Sequence, residues 1–177
     1  MSKLKCRISR EMKVGETYRL ATYPRHKKGI TYHRDYYIYD DQGSLMAAGA
    51  SQWIIINFET RKIERSDIDF EGEYYPKDAF PEGFEKIRAK HLQEVGYHLV
   101  TEADLDENDH TNNCRYADMI CEAIGSSEHT ELVINFAKES RLGDKLTLYR
   151  DSGEREQEII IAAKNQSGKT VFQALVR

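Results

Sequence analysis

The chain is expected to be α+β, a curved antiparallel sheet carrying one helix, arranged as a partial unit followed by a complete one. Three observations predict this. The segment LKCRISREMKVGE from Leu4 falls without a gap on LVINFAKESRLGD from Leu132, self-similarity of the kind that marks a structural repeat. Both copies run on into segments rich in Ile, Val, Tyr and Phe, split by an Asp/Asn-to-Gly turn, the pattern of a β-hairpin. One clear helix, CRYADMICEAI, precedes the second copy alone.

In copy one, Gly15-Glu16 is followed by a short strand from Thr17 to Thr22 and a polar break, so the basic run Arg25, His26, Lys27 and Lys28 is expected in a loop. A hairpin follows, GITYHRDYYIY and SLMAAGASQWIIINF around the turn Asp40 to Gly43. Asp69 to Lys90 holds two of the three prolines together with glycines and charges, and reads as a linker. The boundaries are thus 1–68 for the partial unit, 69–90 for the linker and 91–177 for the complete unit. Copy two begins with a strand near His91 to Glu102, the polar stretch DLDENDHTNN and the helix from Cys114 to Ile124. Tyr116, Met119, Ile120, Ala123 and Ile124 recur at helical spacing and form one stripe to bury against a sheet. After Leu132 come Gly143-Asp144, a strand from Lys145 to Arg150, a polar break, and the hairpin EQEIIIAAK and KTVFQALVR around Asn165 to Gly168. Copy one has no such helix, so its apolar sheet face needs cover from a partner chain, the second unit or upstream residues. A homodimer or larger assembly is expected.

Composition narrows the function classes. With 26 Lys plus Arg against 30 Asp plus Glu and a net charge of -4, bulk electrostatics offers no reason to expect nucleic acid or an anionic membrane. The N-terminus lacks the apolar region of a signal peptide, and no run approaches membrane-spanning length; a cytoplasmic location is expected. Three cysteines without CxxC spacing argue against a disulfide framework and a structural zinc site. Cys114 and Cys121, seven apart on one side of the helix, read as buried packing. No cofactor or metal is expected.

The chemistry concentrates between Asp104 and Asn113, where acids, amides and His110 crowd ten positions before an apolar helix. Thr111, Asn112 or Asn113 can each cap that helix. Its N-terminus offers free N–H groups and partial positive charge to a developing oxyanion, where one donor is worth roughly 3 kcal/mol. A solvated capping loop is the alternative on composition. A calcium loop fits poorly, because the central Gly and terminal Glu of the EF-hand pattern are missing.

DLDENDHTNNCRYADMICEA resembles the D-x-N-x-H-x-N-N motif and following helix of the acyl-acyl carrier protein thioesterases, hot-dog-fold hydrolases. Asp106, Asn108, His110, Asn112 and Asn113 are all in place. The first half is similar too, through Arg34, Asp35, Gly43, Trp53, Asn57, Thr60 and Arg61. The resemblance covers nearly the whole chain and implies tandem hot-dog units with catalysis in the second; the incomplete first repeat is a departure from the family's pattern. It places Glu139 at the family's acidic position and Ser140 where the family carries Cys or another small residue.

With Ser140 there, water attack is favoured over a thiol nucleophile. Glu139 and His110 then activate water, Asn108 orients His110 or the thioester carbonyl, and N–H groups near Asn112 and Asn113 receive the oxyanion. Asp106 holds the loop, orients Asn108, or attacks directly. Tyr36, Trp53 and Tyr116 are candidates for an acyl pocket, although ordinary packing explains them as well. Arg25, Lys27, Lys28 and Arg61 are candidates for docking an acidic acyl carrier protein. An acyl-CoA thioesterase and a non-catalytic acyl-binding module remain alternatives.

Overall fold

The computed structural model describes residues 1–57, 59–125, 129–152 and 157–177, and the chain divides after Phe84 into two units. In the first, β1 (Lys3–Ile8), β2 (Arg19–Lys28), β3 (Thr31–Tyr39) and β4 (Leu45–Ile54) pair antiparallel in the order β2-β3-β4-β1. In the second, β5 (Gln93–Leu99) and α1 (Asn113–Ile124) precede β6 (Glu131–Phe136), β7 (Lys145–Asp151), β8 (Ile159–Lys164) and β9 (Thr170–Val176). Their order is β5-β7-β8-β9-β6, again antiparallel. Removing β5 and α1 leaves the same four-strand arrangement as the first unit. This is the hot-dog fold, complete in the second unit and without its helix among the described residues of the first.

The repeat extends to single hydrogen bonds. The Asp40 N–H donates to the Ser44 carbonyl, the Asp40 carbonyl accepts from Gly43, and its carboxylate accepts from the Gln42 and Ser44 N–H groups. Asn165 does the same with Lys169, Gly168, Ser167 and Lys169 in turn. Gly43 and Gly168 take the left-handed conformation that closes each turn, at φ +82° and +71°.

α1 starts at Asn112, whose side chain accepts from the Cys114 N–H, and ends at Gly125, at φ +75°. The expected stripe is the one buried. Tyr116, Met119 and Ile120 are sealed among Val100, Ile134, Leu146, Ile161 and Phe172, with Ala123 and Ile124 partly buried beside them. Each such side chain contributes about 1.5–3 kcal/mol of transfer free energy. Cys114 and Cys121 are exposed, which corrects the reading of them as buried packing; the turn of the helix puts them off the apolar stripe.

Strand register sorts the first sheet into two faces. One carries the cross-strand row Ile8, Ala47, Ile38 and Leu20, with Leu4, Cys6, Tyr36 and Trp53 on the same side. Leu4, Cys6 and Ile8 align in the repeat with Leu132, Ile134 and Phe136, which pack in the second unit's core. Lacking a helix, this side leaves Ile8, Leu20 and Trp53 at 40, 65 and 41 % exposure.

The opposite face is polar and is strapped by residues 74–84. Tyr75 stacks on Tyr23 at 4.3 Å between ring centroids. The Tyr37 hydroxyl donates to the Lys77 carbonyl, Arg25 donates to the carbonyls of Tyr75 and Lys77, and Asp35 accepts from the Ala79 N–H. Burial pushes the Tyr37 phenol up to about 12, which keeps it a donor. Residues 69–90, read as a linker, therefore fall on both sides of the division. Past it, Arg177 holds Glu85, and the Lys90 and His91 N–H groups hold the Asp151 carboxylate.

β2 runs through the expected polar break to Lys28, with an irregularity between Arg25 and Lys28, so the basic run lies on a strand and not in a loop. Asp35 and the strap partner Arg25, Ser66 and Asp67 partner Lys27, and Lys28 stays exposed to solvent. Phe58, and the second copy's polar break over residues 153–156, lie outside the described residues.

Candidate active site

Asp106 to His110 form a loop of the same make as the two hairpin turns. The Asp106 N–H donates to the His110 carbonyl, the Asp106 carbonyl accepts from Asp109, and its carboxylate accepts from the Asn108 and His110 N–H groups. Asp109 sits at φ +58°, where the hairpin turns have glycine. The Asp106 side chain thus organises the loop. The loop is pinned at its base by Asp104, whose carboxylate accepts from the Thr101 N–H and hydroxyl and pairs with His98 at 3.0 Å. Burial raises the Asp104 carboxyl, but hydrogen bonds from Thr101 and His98 outweigh it and hold the group below its ordinary value. The Asp104 carbonyl takes the Asn112 N–H at 2.7 Å.

That last bond revises the oxyanion assignment. The Asn112 N–H is spent, whereas the Asn113 N–H has no acceptor among the described residues. Asn113, the first helical residue, retains the free donor of the helix N-terminus.

His110 is brought to Glu139. The His110 Nε2 lies 3.2 Å from the Glu139 carboxylate and 3.2 Å from an Arg141 guanidinium nitrogen. One nitrogen cannot serve both: it accepts from Arg141 when unprotonated and donates to Glu139 when it carries a proton. Arg141 was missed in the sequence reading, and the only signal was its place two residues after Glu139. Asn108 is exposed, and its side chain has no hydrogen-bond partner among the described residues.

Ser140 faces the other way. It is fully buried, and its hydroxyl meets Thr111 Oγ1 at 2.7 Å and Tyr116 Oη at 2.9 Å, while its carbonyl accepts from the Thr111 N–H. These bonds lock the segment carrying Glu139 to the loop carrying His110.

Two family profiles match, acyl-ACP thioesterase N-terminal domain over residues 1–74 and acyl-ACP thioesterase C-terminal domain over residues 86–176. The chain belongs to the acyl-ACP thioesterase family. It is 28 % identical over 125 residues to oleoyl-acyl carrier protein thioesterase 1, chloroplastic, of Arabidopsis thaliana, covering 62 % of this chain and 34 % of that protein. The chain thus spans about a third of that curated relative's length. Among solved structures, an acyl-ACP thioesterase from Bacteroides thetaiotaomicron superposes with a TM-score of 0.83 at 22 % identity, over 99 % of this chain and 74 % of that one. The 12:0-ACP thioesterase from Umbellularia californica gives 0.78 at 17 %, over 99 % and 73 %. These likenesses show the fold.

The other candidate residues of this thioesterase family member are more scattered. Tyr116 is core, 3 % exposed and packed on Phe136 and Phe172; burial raises its phenol above the ordinary value. Tyr36 and Trp53, in the first unit, converge on Ser51, with hydrogen bonds of 3.0 and 2.7 Å. Of the basic candidates, Arg25 is engaged by Asp35, Asp78 and the strap, and Lys27 bonds the Ser66 carbonyl. Lys28 is exposed, and Arg61 closes a turn at φ +56°. No described helix is long and apolar enough to cross a membrane.

Proposed function

We propose that this protein hydrolyses the thioester of a fatty acyl-acyl carrier protein, by water attack at His110 and Glu139 of the second unit. The observation that carries the reading is the 3.2 Å contact between His110 Nε2 and Glu139, next to the helix end where the Asn113 N–H is open. His110 takes the proton of the attacking water at Nε2. Its bond from Arg141 is then broken, and the Glu139 carboxylate stabilises the imidazolium. The Asn113 N–H receives the oxyanion, and the unengaged Asn108 side chain contacts the thioester carbonyl. As the tetrahedral intermediate collapses the C–S bond breaks, and the departing thiolate takes the proton back from His110 Nε2, leaving the free acid and the carrier thiol. Ser140 acts as a strut, consistent with a mechanism that needs no thiol. Asp106 is a positioning residue, its carboxylate already accepting two N–H groups of its own loop.

Assembly as a homodimer or larger is part of the same reading, supported by the exposed Ile8, Leu20 and Trp53. The deciding experiment is free-thiol release from acyl carrier protein and acyl-CoA substrates of several lengths. His110→Ala and Glu139→Ala are each expected to lower kcat by about 10²–10⁴ with the fold retained. No release from any substrate would end the enzymatic reading, and faster release from acyl-CoA would replace the carrier as donor.

A further inference from the structure

The strapped face of the first sheet holds a cleft of about 420 Å³ whose lining carries Lys3, Lys5, Arg25 and Lys28 against Asp35 and Asp78. Register explains its form. Lys3, Gln52, His33 and Arg25 make one direct cross-strand row over β1, β4, β3 and β2, all on one face. Lys5, Ala50, Asp35 and Tyr23 make the next, and the small Ala50 leaves depth at its middle. Lys28 and Phe84 complete the wall.

The charges in this cleft do not balance. Arg25 lies between Asp35 and Asp78 and balances one of these two carboxylates. Lys5, fully buried, gives its ammonium to Glu82 at 2.8 Å. Lys3 and Lys28 have no carboxylate partner among the described residues, and Lys3 is only held over the Phe84 ring at 5.9 Å. Both lysines border the cleft, so an anion seated in it meets two ammonium groups that no carboxylate occupies.

His33 adds a donor. The Thr31 hydroxyl has one proton, which goes to the Lys28 carbonyl at 2.7 Å, so the 2.8 Å contact with His33 requires Nε2 to be the protonated nitrogen. Nδ1 is then the atom that gains a proton when the ring charges. Burial first, then Lys28 and Lys3, hold the imidazole below its ordinary value, with Asp35 opposing. Arg25 and Asp78 face the same cleft but compensate each other. Lys28 and Lys3 thus outweigh Asp35 at His33, and a bound anion opposes them.

We propose that this cleft binds the phosphate group of a small molecule, held by Lys3, Lys28 and His33. Two ammonium groups without carboxylate partners offer charge-assisted hydrogen bonds to phosphate oxygens, and Phe84 offers an apolar wall to whatever carries the phosphate. The site lies wholly within the first unit and does not depend on the hydrolytic reading of His110 and Glu139.

The test is an NMR titration of His33 in the full chain with pyrophosphate, with adenosine diphosphate, and with sodium chloride and sodium acetate at matched ionic strength. Both phosphate compounds are expected to raise the His33 titration midpoint, with affinity increasing as pH falls. Lys3→Gln and Lys28→Gln are each expected to weaken binding about tenfold, with the remaining amide spectrum unchanged as the folding control. Tighter binding of adenosine diphosphate than of pyrophosphate marks an organic phosphate, and equal binding marks a site for the phosphate group alone. No movement of His33, or an equal movement in chloride or acetate, overturns the proposal, as does binding that survives both lysine substitutions.

Discussion

The turn at Asp40 and the loop at Asp106 use one hydrogen-bond scheme for different ends. In each, an acidic side chain accepts two N–H groups of its own loop, and the residue three positions on is left-handed. The turn joins β3 to β4 and carries nothing further. The loop adds three things: Asp104 and His98 beneath it, Ser140 and Thr111 beside it, and a helix N-terminus directly after it. The lesson is that the Asp106 carboxylate is conventional turn chemistry, and that the reactive character of the loop comes from what surrounds it.

The largest expected effect follows from Asn165, which performs the Asp106 role with an amide oxygen. Asp106→Asn should keep both bonds and leave kcat within about a few-fold, whereas Asp106→Ala should misplace His110 and lower kcat about 100-fold. Equal collapse of both variants in steady-state kinetics would break the comparison and restore Asp106 as an attacking group. Next in size is the strut. Ser140→Ala leaves the Thr111 and Tyr116 hydroxyls short of a buried partner and should cost about 1–3 kcal/mol in denaturant unfolding, with turnover surviving at temperatures where the variant is folded.

A smaller, pH-dependent effect is expected at the base of the loop. The Asp104 carboxyl is lowered in the folded state, so its stabilisation is present above its unfolded value and is lost as pH falls through the folded one. Asp104→Asn should therefore cost about 1–2 kcal/mol near neutrality, and its unfolding midpoint should converge on that of the unaltered protein in acid. A gap that persisted at low pH would assign the loss to packing. Smallest of all, Asp109→Gly puts glycine where both hairpin turns have it and should raise stability by about 1 kcal/mol or less. A loss in thermal unfolding would show that the Asp109 side chain does more than tolerate the turn.

Much of this molecule was legible in the sequence because its signals are local. The gapless repeat, the Asp40 and Asn165 turns and the helical stripe from Tyr116 to Ile124 depend on residues within one turn or hairpin, and the structure places them as read. The cap could be narrowed only to three residues, and Asn112 proved to be the one. Long-range partners were not legible. Ser140 could be aligned with a family cysteine, yet its burial against Thr111 and Tyr116 is set by contacts 24 and 29 residues away. Exposure of Cys114 and Cys121 depends on the rotation of α1 against the sheet.

The sequence by itself therefore determined the repeat, the single helix and the residues around which the chemistry gathers, since periodicity and turn chemistry act over a few residues. Only the tertiary structure decided that Glu139 and Arg141 contend for one nitrogen of His110, that the Asn112 N–H is already taken, and that residues 74–84 strap a cationic cleft. Each of these is a meeting of segments distant in the chain, settled by which polar groups remain to be satisfied once the apolar faces are buried.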